Sequence, residues 1–212
     1  DLGQFATIGG GLGNKSSANY STVGGGIQNT SNGEYSFIGG GEQNKSSGIR
    51  STISGGLQNS SIGNLSTIGG GRNNTSSADC STVSGGRNNT SSGSYSTVGG
   101  GYFNTSSGIG STISGGQCNK IDTITTQSGY YVYGSSIGGG SCNTISSYSA
   151  NYNSYGNTIA GGTCNTTVSS YYNGQTIGGG RNNITLADGS TVSGGIQNTS
   201  SGIQSFIGGG GF

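Results

Sequence analysis

The chain is expected to be all-β: a parallel β-solenoid, of the β-roll or β-helix kind, wound from coils of fifteen residues. Three observations predict this. First, the motif Ser-Thr-(Ile/Val)-(Gly/Ser)-Gly-Gly-x-x-Asn-x-Ser-Ser-Gly-x-x returns again and again, and a fixed short period is the signature of stacked repeats. Second, its third position is a branched aliphatic in all thirteen copies: Ile8, Val23, Ile38, Ile53, Ile68, Val83, Val98, Ile113, Ile137, Ile159, Ile177, Val192 and Ile207. Third, with 49 Gly, no Pro and only 27% hydrophobic residues, the chain can fill one narrow apolar column but no ordinary globular core. Disordered chains of similar polarity lack such placed apolar residues and usually carry high net charge, whereas this one stands at +1.

Taken in order, residues 1–5 read as the tail of a preceding repeat, because Gly3 and Phe5 match Gly33 and Tyr35. Regular coils fill residues 6–110. Within each, Ser-Thr-(Ile/Val) has β propensity, and the glycines after it provide a corner that a branched residue could not turn. Alternation along the strand places positions one and three on one face and position two on the other. Ile or Val then points inward beside Ser, while Thr, or Phe37 and Phe206, points outward. The rest of the coil is expected to be a polar return. Coils starting at Ser111, Ser135 and Asn157 are longer, at 24, 22 and 18 residues, with the extra length in the return. Regular coils resume over 175–212, so residues 1–212 are expected to form a single solenoid. A lone coil buries little, so stacking on neighbouring coils and on other copies of the chain is expected to carry the stability. The chain starts and stops within a coil, which suggests one link of a head-to-tail fibre whose open coil edges pair with another copy.

Position nine is a second column, of Asn. Asn tolerates tight turn geometry and forms side-chain ladders in stacked coils. Ten of its members also stand in Asn-x-Ser/Thr sequons and are candidate N-glycosylation sites: Asn14, Asn29, Asn44, Asn59, Asn74, Asn89, Asn104, Asn165, Asn183 and Asn198. Cys118, Cys142 and Cys164 each precede the column Asn in the long coils. Adjacent rungs lie about 4.7–4.9 Å apart, within the Cα range of a disulfide, so two of the three are candidates for a bridge. Cys80 sits elsewhere in its coil and reads as a free or intermolecular thiol. The long returns are rich in tyrosine, and Tyr130, Tyr131, Tyr133, Tyr148, Tyr152, Tyr155, Tyr171 and Tyr172 are candidate binding-loop residues. The alternative is that these returns cover a widened core.

Other chemistry has little support. The chain has no His, and Asp1, Glu34, Glu42, Asp79, Asp122 and Asp188 form no column, so neither a general base nor a metal set stands out. No catalytic residue, metal or other cofactor is expected. Near-neutral charge gives no footprint for nucleic acid, and no apolar run approaches the length of a membrane span. Thr at position two in ten of thirteen repeats suggests ice binding as a distant alternative.

At Ser-Thr-Ile-Gly-Gly-Gly and the following Ser-Ser-Gly-x-Tyr-Ser, the repeat resembles the head repeats of YadA-like trimeric adhesins, over nearly the whole chain. Here Thr-Ile-Gly-Gly stands where that family has Val-Ala-Ile-Gly, and Asn and Ser replace its Ala column. The resemblance implies a left-handed β-roll, a homo-oligomer of three chains, an extracellular location and no enzymatic activity. Similar glycine-rich repeats suit viral or phage fibres, which would place the chain on a virion or cell surface. The expected function is therefore a structural part of an extracellular fibre, glycosylated and built by self-association. An adhesin head that binds glycan or surface ligands through its tyrosine loops is the alternative.

Overall fold

The computed structural model describes residues 3–123, 132–147, 153–169 and 174–211. The fold is a parallel β-solenoid, and the described residues contain strands, bridges and turns but no helix. Two compact units divide the chain, Asp1–Tyr102 and Phe103–Phe212.

In the first unit, seven two-residue strands form one sheet: Thr7–Ile8, Thr22–Val23, Phe37–Ile38, Thr52–Ile53, Thr67–Ile68, Thr82–Val83 and Thr97–Val98. They pair in parallel with like positions aligned, as in Ile38 on Ile53 and Ile53 on Ile68. The polar return holds a second sheet that the sequence reading lacks: Lys15–Ser16, Thr30–Ser31, Lys45–Ser46, Ser60–Ser61, Thr75–Ser76 and Thr90–Ser91. Pairs such as Thr-Ser and Lys-Ser look like loop. They become strand because the neighbouring rung offers each N–H a carbonyl, as where Thr30 N–H donates to Asn44 O at 2.8 Å. A third line of single bridges runs from Leu12 through Ile27, Glu42, Leu57, Arg72 and Arg87 to Tyr102.

Between the two sheets, Val23, Ile38, Ile53, Ile68, Val83 and Val98 are fully buried in one apolar column. Burial of each contributes about 1.5–3 kcal/mol. The other half of the interior is hydroxyl. Ser31 and Ser36 Oγ stand 2.6 Å apart, and Ser36 Oγ donates to Gly33 O at 2.6 Å. Because a hydroxyl has one proton, Ser31 is the donor to Ser36. The same pairing recurs at Ser46–Ser51, Ser61–Ser66, Ser76–Ser81 and Ser91–Ser96. Two serines thus span each coil with their polar groups satisfied.

The second unit repeats the plan with six first-type strands: Thr112–Ile113, Ser136–Ile137, Thr158–Ile159, Thr176–Ile177, Thr191–Val192 and Phe206–Ile207. Its second sheet includes three four-residue strands, Lys120–Thr123, Thr144–Ser147 and Thr166–Ser169, all in the long coils. There Ile121 and Ile145 occupy the place of the interior Ser and, with Val132, join the buried core. The returns of two long coils also pair, Val132–Tyr133 on Ser154–Tyr155. The first two long coils thus carry a larger apolar filling, while the third has the buried Thr167 at that place. After the second and third long coils the position-one residue is longer too, Asn157 and Gln175 in place of Ser. Asn157 Nδ2 donates to Ser154 Oγ at 2.7 Å, and Gln175 Nε2 donates to Val168 O at 2.7 Å while its Oε1 accepts from Thr185 at 3.0 Å.

Candidate functional site

The Asn column faces inward, which corrects the expectation that its sequons are presented to solvent. Asn29, Asn44, Asn59, Asn74, Asn89, Asn104, Asn165 and Asn183 are buried, and Asn14 and Asn198 are half-buried. Asn44 shows the pattern. Its Nδ2 donates to Gly40 O at 3.0 Å in its own coil and to Gly56 O at 2.8 Å in the next, and its Oδ1 accepts the Asn59 N–H at 2.9 Å. Both amide protons are used, so a glycan on Nδ2 would displace one of these donated bonds and find no space in the buried column. Asn14 and Asn198 make the same pair of donations, to Gly10 and Gly26 and to Gly194 and Gly210. The glycine before each ladder step is obligatory. Gly41 has φ +88°, and a Cβ there would run into the carbonyl oxygen of Gly56. Four further sequons lie outside the column, where the repeat gives no signal for them. Asn19-Tyr-Ser and Asn64-Leu-Ser, and Asn73-Asn-Thr and Asn88-Asn-Thr, place Asn19, Asn64 and Asn73 on the exposed surface and Asn88 half-buried.

Two corners of each coil project side chains outward from left-handed backbone. Position eight has φ between 53° and 57° at Gln28, Gln43, Gln58, Asn73 and Asn88, and position fifteen has 57–58° at Tyr20, Tyr35 and Arg50. Left-handed L-residues cost about 1–2 kcal/mol each. The cost is offset by ladder bonds from the corner itself, such as Gln43 N–H to Ile27 O at 2.9 Å and Tyr35 N–H to Asn19 O at 3.0 Å. Side chains one rung apart therefore meet. Gln43 Nε2 donates to Gln28 Oε1 at 3.0 Å and Gln58 Nε2 to Gln43 Oε1 at 2.8 Å. At the other corner, Phe5, Tyr20 and Tyr35 stack with ring centroids 5.1 and 4.8 Å apart, and the Arg50 guanidinium lies 5.6 Å from the Tyr35 ring.

Of the eight candidate tyrosines, only Tyr133 and Tyr155 fall within the described residues. They are register partners, and their rings stack at 5.2 Å. Asn153 Nδ2 also donates to the Tyr155 hydroxyl at 3.2 Å. Tyr130, Tyr131, Tyr148, Tyr152, Tyr171 and Tyr172 lie outside the described residues.

Cys118, Cys142 and Cys164 all occupy the position-eight corner of successive long coils, with φ of 54°, 55° and 55°. Each is a free thiol here, half-buried at Cys118 and exposed at Cys142 and Cys164. Burial pushes the Cys118 thiol above its ordinary pKa, and the adjacent Cys142 raises it further by charge and by hydrogen bond. Cys80 is also a free thiol, at the other corner and half-buried. Among the described residues no group of three His, Cys, Asp or Glu side chains is placed to hold a metal ion, and no helix is long and apolar enough to cross a membrane.

The outward Thr rank of the first sheet is interrupted by Phe37, and the outward row of the second sheet mixes Lys15, Thr30, Lys45 and Ser60. Neither row makes the even lattice that ice recognition would use.

These features define a parallel β-solenoid repeat protein whose outward chemistry is concentrated at two corner columns. No protein-family model matches the chain, and a search of the curated proteins finds no match. The likeness to adhesin head repeats accordingly rests on the repeat motif itself.

Proposed function

We propose that the chain is a structural segment of an extracellular fibre or filament, on a cell or virion surface, that associates with further copies of itself and catalyses no reaction. The observation that supports this most strongly is how the repeat is used. In coil after coil the same Ile or Val, Asn and glycines are consumed in binding the next rung and the same Ser pair in spanning the coil, and the substituted positions are largely corners and outward strand positions. Exposed apolar groups on the first unit, including Ile27, Tyr20 and Tyr35, favour lateral contact with another copy. Electron microscopy of material from the natural source tests the reading. Fibres labelled by an antibody to the chain are expected, and label confined to dispersed single particles would overturn it.

Adhesion is the second reading, favoured by the stacked, partly exposed pair Tyr133 and Tyr155 on the long returns. A ring with a polar tip suits contact with sugar or protein. A double variant, Tyr133→Ala with Tyr155→Ala, should then lose binding to source-cell surfaces at least tenfold while its circular dichroism is unchanged. Undiminished binding would remove this pair from the account. Glycans, as part of the same surface role, belong on the exposed sequons Asn19, Asn64 and Asn73.

A further inference from the structure

The three thiols of the long coils form a row with a distinct middle member. The residues on both sides of each cysteine are held in register with those of the next coil. Gln117 pairs with Ser141 and Ser141 with Thr163, while Asn143 N–H donates to Asn119 Oδ1 and Asn165 N–H to Asn143 Oδ1, both at 3.0 Å. The cysteines themselves are tied in, with Cys142 N–H on Gln117 O at 2.8 Å and Cys164 N–H on Ser141 O at 2.9 Å. Cys118, Cys142 and Cys164 thus stand on consecutive rungs with the same backbone conformation. The Gln28–Gln43–Gln58 ladder shows that side chains in this same column reach one another across one rung.

From this geometry we infer that Cys118, Cys142 and Cys164 are a thiol–disulfide exchange site for small disulfides such as oxidised glutathione, in which Cys142 is the obligatory partner of every internal bridge. One rung separates Cα atoms by about 4.7–4.9 Å, inside the range of about 4.4–6.8 Å that a disulfide spans. Two rungs separate them by about 9–10 Å, which excludes Cys118 from bonding Cys164. The bridge is therefore Cys118–Cys142 or Cys142–Cys164, and one thiol always remains beside it.

The chemistry balances with the small disulfide as oxidant. The Cys142 thiolate attacks one sulfur of oxidised glutathione, the S–S bond breaks, and one glutathione leaves as a thiolate that takes up a proton. A neighbouring thiolate then attacks Cys142 Sγ and displaces the second glutathione. Two protein thiols have lost two electrons and two protons, and one oxidised glutathione has become two reduced ones. The leftover thiol can attack Cys142 in turn, which moves the bridge along the row with no net electron transfer. Cys118, whose thiol pKa is raised by burial and by Cys142, is the slower attacker of the row.

The bridge should also be readily reduced. Parallel corners hold Cβ atoms near the rung spacing, whereas a relaxed disulfide wants about 3.8 Å. Closing that gap strains the corners, and strained, accessible disulfides are the labile ones. The site is thus a reversible redox couple on the surface, separate from the structural role proposed above.

The test uses the full chain in a Cys80→Ser background, equilibrated in glutathione buffers of varied ratio, then alkylated and mapped by mass spectrometry. One internal bridge per chain is expected, shared between the 118–142 and 142–164 linkages, with one alkylated thiol left. Cys118→Ser and Cys164→Ser should each still form one bridge. Cys142→Ser should form none, with unchanged circular dichroism because the corner side chain is exposed. A Cys118–Cys164 bridge in Cys142→Ser, or three free thiols in the parent chain at every buffer ratio, would overturn the assignment.

Discussion

At the scale of single residues, Asn at position nine shows how one side chain can satisfy three backbone groups in two coils. Asn74 donates to Gly70 O at 2.9 Å and to Gly86 O at 2.9 Å, and accepts from Asn89 N–H at 2.9 Å. Asn74→Ala would leave the buried Asn89 N–H without its acceptor and take one donor each from the part-buried Gly70 and Gly86 carbonyls, the second of which keeps the Arg72 N–H. A loss of about 1–3 kcal/mol is expected in urea denaturation. Ile68→Asp should be worse, because its fully buried site offers a carboxylate neither water nor a partner, and the unit should unfold or split at that rung. Arg72→Ala, on the exposed line of bridges, should stay within about 0.5 kcal/mol of the parent. The Ile/Val column was legible because thirteen branched aliphatics at one register leave few alternatives. The direction of the Asn column was not, since a sequon at every fifteenth residue reads the same whether the amide points in or out. Site mapping of protein from its source checks the corrected placement. Glycan is expected on Asn19, Asn64 or Asn73 and not on Asn59 or Asn74, and the reverse would contradict the inward ladder.

At the scale of the coil, the sequence showed where length was added but not what it does inside. Regular coils close with a Ser pair about one hydrogen bond long, which fixes the distance between the two sheets. The first two long coils put Ile121 and Ile145 at that place, and in the two coils that follow Asn157 and Gln175 replace the position-one Ser, Asn157 bonding Ser154 and Gln175 bonding Val168 O and Thr185. The substitution of Ile for Ser within the motif was visible in the sequence as a change at position eleven, and it coincides with the added return. The second sheet is not legible in the sequence for another reason. Its residues have little apolar signal, and its strands exist through register with neighbouring rungs rather than through propensity. The two filling schemes should not be interchangeable. Ile145→Ser should leave a cavity and an unpaired hydroxyl, lowering stability by about 2–5 kcal/mol. Ser61→Ile in a regular coil should overpack a site that holds a 2.6 Å hydroxyl pair, at a cost of about 1–3 kcal/mol or more. Thermal melts of the two variants check both, and a neutral Ser61→Ile would mean that regular coils can widen freely.

At the scale of the whole molecule, a solenoid is a sum of rungs and nearest-neighbour interfaces, and the first unit has the regularity to test that directly. Excising residues 66–80 removes one complete coil. Thr82–Val83 then lands on Thr52–Ile53, Val83 meets Ile53 in the column, and Asn89 takes the place of Asn74 above Asn59. Ser61, which pairs with Ser66, is offered Ser81 instead, a residue already in the same role one coil later. In both sheets and in the Asn column every new neighbour is of the type it replaces, and changes such as Ser94 for Asp79 beside Asn64 and Tyr95 for Cys80 fall at one exposed corner. The shortened chain should therefore fold with the same circular dichroism and a melting midpoint within about 5 °C of the parent. Excising residues 66–81 takes one residue more and should behave differently. A coil can absorb extra residues by lengthening its return, as the 24-residue coil does, but a return one residue short has no slack. The next strand must either slip by one, which turns Val83 outward and a polar neighbour inward, or tear the second-sheet ladder. A broadened or lost melting transition is expected for the longer excision alone. Equal stability of the two shortened chains would show that the fifteen-residue register does not govern the fold.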